Sequence, residues 1–490
     1  MRVLLIYFNP ARELLPAPPI GLAYVAGATR QAGHDVRVLD LLGSRRPLDD
    51  VREAVRACAP AVVGISVRNI DNVVLQRPEW HLGALAPVVA VVRRESGARI
   101  VLGGPAVSIL GATTLRRIDA DFAVVGDGES AFPRLLSAVA TMDRYEDIPG
   151  LCYRVGDAVV SNPPVPIARF GASGMEEWID WPAYERKGGT WAIQTKRGCP
   201  LHCSYCVYPA IEGRAGRRRS PEEVVDEIEH VAVRVRPRTF EFVDSTFNVP
   251  PDHAERICRE IIRRRLDVNL TAMGVNPLGV SGTLFALMRR AGFNSMMITP
   301  EAASDAMLRS LRKGFTVEQV RETARLARAS GIASTWFFML GGPGETRETV
   351  EDTVGFVERQ LGWTGCLTIF MTGIRVLPGT ELARQARRER SLAAEGDLAE
   401  PVFYLSPDVG EDWILERINR AIARCPGIVH AAEEGASTYE RVADRALYVL
   451  GVAPPYWRFL PMLLRLPPVP WLRRWHPFVI EARAGGAIGS

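Results

Sequence analysis

"RGCPLHCSYCVYP", residues 197–209, places three of the chain's eight cysteines within eight positions. Cys199, Cys203 and Cys206 follow a C-x3-C-x2-C spacing, an odd number of thiols at unequal intervals. A structural zinc normally takes four ligands, usually from paired C-x2-C units, and no second pair is present. His202 lies inside the same tight loop and points along a different direction from the thiols. A disulfide fails on parity, and the other cysteines (Cys58, Cys152, Cys258, Cys366 and Cys425) stand singly, mostly in apolar segments. That is a reduced, cytosolic pattern of thiol use. Iron–sulfur clusters are held by closely spaced cysteines. Three ligands on a cubane leave one iron open to a chelating substrate or cofactor.

Outward from this loop, the sequence alternates strands with helices. "WAIQTKRG" leads into the cysteines, and "SPEEVVDEIEHVAVRV" reads as a helix capped by Ser220 with Glu223 completing a capping box. Further strands follow in "TFEFVDS", "VNLTAMGV", "NSMMITPE", "IASTWFFML" and "CLTIFMTGI", each trailed by helical sequence. Six such units predict a partial (β/α)6 barrel of the TIM type over residues 191–385, with functional side chains at the C-terminal strand ends. The end of the second strand, "FVDSTFN", offers Asp244, Ser245, Thr246 and Asn248 there. After 385 the pattern turns helical, giving a mostly helical C-terminal region over 386–490.

Upstream, residues 1–150 show an earlier strand–helix series that predicts a doubly wound parallel sheet with right-handed crossovers. Ligands in such sheets bind beyond the C-terminal strand ends. Those ends carry Asn9, "SVRNIDN" with Arg68, Asn69 and Asp71, "GGPAVS" with Gly103 and Gly104, and "GDGES" with Gly126, Gly128 and Glu129. Small residues at successive strand ends admit a large flat ligand close to the backbone. Residues 151–190 read as a connector with a short hairpin.

Apolar content of 47% with 24% charged residues describes a globular chain, and 60 basic against 56 acidic residues leave a net charge of +4. Nothing in that balance calls for a nucleic-acid partner. The basic runs "RAGRRR" at 214–219 and "RRR" at 263–265 read as solvated faces. No signal peptide and no long apolar span is evident, so the expected location is the cytoplasm.

The C-x3-C-x2-C triplet on the loop after a first barrel strand, with Tyr205 just before the third cysteine, resembles the radical S-adenosylmethionine superfamily. The resemblance implies that Cys199, Cys203 and Cys206 ligate a 4Fe-4S cluster, whose open iron chelates S-adenosylmethionine. One-electron reduction then yields a 5′-deoxyadenosyl radical. It also implies cofactor contacts for Tyr205, for Asp244, Ser245 and Thr246 near the methionine amino group, and for Glu301 at the ribose hydroxyls. Gly341 falls in the element near the adenine, and Arg375 in the sixth-strand segment. Two departures are visible: no GGE-like triplet occurs, and Ala302 stands where the ribose element carries serine.

A doubly wound domain ahead of such a barrel, opening with "PPIGLAYVAGATRQAGHDVRVLD", resembles the cobalamin-binding domains fused to these enzymes. No Asp-x-His-x-x-Gly motif supplies a lower axial histidine, and His34 lies in a turn before the second strand. The combination implies a cobalamin-dependent C-methyltransferase that acts on an unactivated carbon of a small-molecule substrate, with methylcobalamin as methyl donor. It also implies a flavodoxin- or ferredoxin-type electron donor, and the chain is expected to be a monomer. Oxidative cyclisation and ring rearrangement are the alternatives within the group, and a cobalamin sensor or carrier is the alternative outside it. Methylthiotransferases would need three further cysteines upstream, whereas residues 1–150 contain only Cys58. The tail interleaves Trp457, Phe459, Trp471, Trp475 and Phe478 with arginines and prolines. It reads as a cap on the barrel rather than a membrane anchor.

Overall fold

Short apolar runs that stop at glycine, proline or asparagine become the strands of two parallel sheets. The computed structural model describes residues 1–10, 16–141, 144–392, 396, 398–431 and 438–465. The first sheet comprises β1 (Arg2–Phe8), β2 (Asp35–Asp40), β3 (Val62–Val67), β4 (Arg99–Gly103), β5 (Phe122–Val124), β6 (Leu151–Val155) and β7 (Ala158–Ser161). Its order is β2-β1-β3-β4-β5-β6-β7. The first five strands are parallel, and the hairpin β6–β7 adds antiparallel to β5. Strand order reverses between β1 and β3, which opens a crevice at their C-terminal ends. Helices cover both faces: Leu4, Ile6 and Phe8 of β1 enter one core, while Val3, Leu5 and Tyr7 enter the other. Burial on both sides explains why β1 is apolar at almost every position.

The second sheet is a curled array of seven parallel strands. These are β8 (Trp191–Ile193), β11 (Phe240–Phe242), β12 (Leu270–Val275), β13 (Phe293–Glu301), β14 (Ala333–Leu340), β15 (Cys366–Thr372) and β18 (Ile428–His430). They run in the order β18-β15-β14-β13-β12-β11-β8. Six are the expected barrel strands. The seventh, β18, lies in the region read as helical and pairs with β15; three residues carry no measurable periodicity.

Two short ladders complete the strands. β9 (Lys196–Arg197) pairs antiparallel with β10 (Arg217–Arg218), bracketing the cysteine loop. β16 (Ile374–Arg375) pairs with β17 (Phe403–Tyr404) beyond the end of β15. The expected capping box at Ser220 and Glu223 is present at the start of the helix Pro221–Arg234.

Alternate residues of β14 and β15 separate outside from inside. Phe338 faces the outer helix residue Phe356, and Phe370 of the neighbouring strand packs beside Phe338. Leu367 of β15 and Val429 of β18 instead pack under Trp457, Leu460 and Leu464. Thr239 Oγ1 donates to Pro454 O at 2.6 Å, tying that segment to the start of β11. The described part of the tail thus lies on the barrel, while Trp471, Trp475 and Phe478 lie outside the described residues. Among those described, no helix is long and apolar enough to cross a membrane.

Candidate cofactor and active site

The cysteine loop is fastened before it begins. Asp244, just past β11, accepts from Thr195 N at 2.8 Å, Thr195 Oγ1 at 2.6 Å, Lys196 N at 3.1 Å and Lys196 Nζ at 3.2 Å. Lys196 Nζ also donates to Phe247 O at 2.7 Å. These bonds satisfy a charge pair that is almost fully buried, the condition under which such a pair is tolerated. His253 contacts Thr195 Oγ1 at 3.1 Å, and burial lowers it to about 4, so it is neutral near pH 7. The loop then returns on itself through Cys199 N, which donates to Gly213 O at 3.1 Å.

All three thiols are free of disulfides. Burial pushes Cys203 up and Cys206 to about 12, and the neighbouring cysteines add to both shifts. Metal-free, these two groups hold their protons, so ligation must release them. Among the described residues no three His, Cys, Asp or Glu side chains draw together tightly enough for a single metal ion. Ligands at separate corners of a multi-iron cluster are spread in the same way.

Beside the loop stands a buried polar group of three side chains. Tyr205 Oη donates to Glu301 Oε1 at 3.2 Å, and Lys313 Nζ lies 3.6 Å from the same carboxylate. Lys313 Nζ also donates to Tyr205 Oη at 3.2 Å and to Thr299 O at 3.1 Å. Glu301 ends β13 with φ at +68°, a left-handed conformation uncommon for a residue with a side chain. Lys313 and Glu301 both act electrostatically on Cys203, with opposite signs.

Next to Asp244, the hydroxyls of Ser245 and Thr246 are buried and have no protein partner. Unmet buried hydroxyls are uncommon in folded proteins and call for an explanation. At the end of β14, Gly341 has φ +91°, and a Cβ there would collide with Leu405. Its N–H and that of Gly342 donate to Glu345 Oε2 at 2.7 and 3.1 Å. Burial raises Glu345 to about 7 despite these bonds.

The strand ends of the first sheet face this region. Arg375 of β16 reaches Asp71, Nε to Oδ2 at 2.6 Å, and its other nitrogens bond to Val376 O and Leu398 O. Arg197 of β9 bonds to Asp127 at 2.9 Å and Glu129 at 2.6 Å and stacks on Tyr24 and Phe170. Arg217 also pairs with Asp127. Asp71, Asp127 and Glu129 therefore have protein partners from the barrel side.

Arg68 and Asn69 are half-buried, Arg68 Nη1 donating to Asn69 Oδ1 at 3.4 Å. Arg68 is close enough to Tyr184, Tyr208 and Glu241 to act on each electrostatically. Asn9 is buried, with its amide 3.5 Å from Tyr7 Oη. Of the glycines, Gly104 (φ +93°) allows β3 and β4 to close up, since a Cβ would stand 2.7 Å from Val67 O. A Cβ on Gly128 would stand 2.8 Å from Val25, within the same domain, and Gly126 N is held by Ser108 Oγ at 3.0 Å. Only open space lies beside Gly103. His34 is at the opposite edge of this sheet, 3.3 Å from the N-terminal amine.

Residues 193–357 match the radical SAM superfamily, and residues 14–136 match the B12 binding domain. Two cofactor domains in this order on one chain decide its class. The chain belongs to the cobalamin-dependent radical S-adenosylmethionine enzymes.

Its relatives are named for varied chemistry. A tryptophan 2-C-methyltransferase of Streptomyces laurentii is 28% identical over 446 residues, covering 77% of this chain and 73% of that one. A hopanoid C-3 methylase of Methylococcus capsulatus is 26% identical, covering 72% and 67%. An anaerobic magnesium-protoporphyrin IX monomethyl ester cyclase of Synechocystis is 26% identical, covering 69% and 68%. The radical S-adenosylmethionine methyltransferase TsrM of Kitasatospora setae, solved with tryptophan and a SAM analogue, shares the fold. Its TM-score is 0.81 at 23% identity, covering 95% of this chain and 99% of that one.

For a cobalamin-dependent radical S-adenosylmethionine enzyme the donor sets are of the right chemistry. Three closely spaced thiols suit an iron–sulfur cluster, two unpartnered hydroxyls suit a polar ligand beside it, and open ground above β4 suits a large flat one. Sequence reading missed Lys313, Lys196 and Glu345. The signal for the first lay in "LRKGF", a basic residue just past a helix that begins shortly after Glu301.

Proposed function

We propose that the chain is a C-methyltransferase that takes hydrogen from an unactivated carbon of an apolar small molecule and installs a methyl group there, in the making of a specialised metabolite. The observation that carries this is the mutual placement of the two cofactor domains. Their C-terminal strand edges face each other and are joined by the buried Arg375–Asp71 pair and by Arg197 on Asp127 and Glu129. When bound, the cofactors supply a carbon-centred radical and a methyl donor able to meet a radical product.

The chain's own residues hold, orient and exclude. Cys199, Cys203 and Cys206 would hold the cluster. Ser245 and Thr246 offer unpartnered hydroxyls to S-adenosylmethionine, and strained Glu301 presents a carboxylate suited to a ribose diol. Strain of this kind is concentrated at functional sites. Asp244 is assigned to fastening the loop through Thr195 and Lys196, and Arg375 and Glu129 to joining the domains. Arg68, Asn69 and Gly103 line the side where a corrin would lie, with Asn9 behind them; Gly104, Gly126 and Gly128 shape the turns. Glu345 holds the Gly341 turn, beside which the adenine would lie.

Support for an apolar substrate comes from the inner barrel face. By the alternation that sends Phe338 and Phe370 outward, Met273, Met297, Phe337, Met339 and Met371 point inward near the mouth. None of these five is charged, and thioethers adapt to irregular apolar shapes and contact aromatic rings favourably. The named substrates of two relatives, tryptophan and a hopanoid, are of that kind.

Anaerobic reconstitution with iron, sulfide, cobalamin and S-adenosylmethionine tests the proposal by product analysis. Methylation yields both 5′-deoxyadenosine and S-adenosylhomocysteine. Deoxyadenosine without S-adenosylhomocysteine would favour the cyclising reading that the magnesium-protoporphyrin relative suggests.

A further inference from the structure

The basic run at 214–219 is left unexplained by the reactions above, yet it touches the cysteine loop directly. Cys199 N is bonded to Gly213 O at 3.1 Å, and the Ala215 carbonyl lies so close to Gly198 that a side chain there would collide. Arg214 Nη1 donates to Leu201 O at 3.2 Å and meets His202 Nδ1 at 3.1 Å. Pro200, His202, Arg214, Ala215 and Gly216 are all exposed. A single layer of chain therefore separates the loop of Cys199 and Cys203 from solvent on this side.

The same basic run continues through Arg218 and Arg219 into an arginine-lined groove. Arg169, Arg218, Arg219 and Arg256 line a cavity of about 490 Å³ between the first turns of the helices Pro221–Arg234 and Pro251–Arg264. Both helices present their positive ends there. Arg219 is buried against Glu227, but Arg169, Arg218 and Arg256 are exposed. Two carboxylates share the groove, Glu223 at 3.6 Å from Arg169 and Asp252 at 3.7 Å from Arg218. Exposed pairs of this length contribute little and exchange readily for an incoming carboxylate.

Resting on the radical S-adenosylmethionine reading, we propose that this face, with Arg169, Arg214, Arg218 and Arg256 at its corners, docks an acidic one-electron carrier protein that reduces the cluster. One electron leaves the carrier and enters the cluster; the carrier is oxidised by one electron, the cluster is reduced by one, and no bond forms or breaks. Charge complementarity sets orientation and encounter rate. The thin layer brings the carrier's redox centre near the cysteine loop.

The test uses the reconstituted holoenzyme and a reduced flavodoxin as the probe, following cluster bleaching by stopped-flow absorbance. R214E/R218E and R169E/R256E are compared with the unmodified enzyme, with dithionite as a small reductant that needs no docking face. Reduction by flavodoxin is expected to slow at least about tenfold in each variant, while dithionite reduction stays within about twofold. Raising salt from about 0.05 M to about 0.5 M slows the unmodified enzyme with flavodoxin. Oxidised flavodoxin also binds the variants more weakly in calorimetry.

Flavodoxin reduction at the unmodified rate would overturn the proposal, as would equal losses with both reductants, which mark a structural role. Tight binding of a short DNA duplex with none of flavodoxin would reassign the face to nucleic acid. A chain that forms no cluster would instead sink the functional reading beneath it.

Discussion

Arg375 and Asp71 are 304 residues apart in sequence and form an ion pair, Nε to Oδ2 at 2.6 Å, that is almost wholly buried. It ties the strand beyond β15 to the loop beyond β3, so that the two cofactor-binding edges share one joint. Removing one partner leaves an uncompensated buried charge, which typically destabilises by about 3–5 kcal/mol. D71A and R375A are each expected to fall in that range by urea denaturation, with D71L/R375L recovering a substantial part. Single changes below about 1 kcal/mol would show that the joint is not tight.

Glu345 gives the barrel a pH dependence of its own. Burial raises its carboxyl from 4.5 to about 7, so the folded chain binds that proton more strongly than the unfolded chain. Its contribution is complete below the ordinary value and is lost as pH rises through about 7, because the unfolded state then holds fewer protons. A shift of that size corresponds to roughly 3 kcal/mol. Relative to E345Q, the unmodified chain is expected to lose stability between pH 5 and pH 8, read from denaturation midpoints at each pH. Parallel profiles for the two proteins would show that Glu345 does not titrate there.

Much of this architecture is legible in the sequence because its signals are local. Apolar runs bounded by glycine or asparagine mark β1 to β5, and the cysteine triplet marks the loop after β8. β18 is not legible: its three residues become a strand only because the edge of β15 awaits a partner. The acidic candidates divide by a similar logic. Asp244, Glu129 and Asp71 stand at strand ends where ligands bind, yet their oxygens are occupied by Lys196, Arg197 and Arg375. These contacts span 48 residues or more in sequence, and no spacing rule encodes them. Ser245 and Thr246, read from the same strand end as Asp244, are the ones with hydroxyls left unpartnered.

Lys313 and Glu301 offer the sharpest check on the site's electrostatics. Both are buried, the nitrogen lies 3.6 Å from the carboxylate, and Tyr205 Oη bonds to each. K313M leaves the largely buried Glu301 with only the tyrosine hydroxyl, so a loss of about 3 kcal/mol is expected. E301Q alone leaves the lysine its bonds to Tyr205 and Thr299 and should cost less. Combining the two removes the unpaired charge, and K313M/E301Q is expected to be more stable than K313M. A double-mutant cycle by urea denaturation measures the coupling directly. If the two changes simply add, the charges do not interact, and the carboxylate is held at its strained φ by the turn alone.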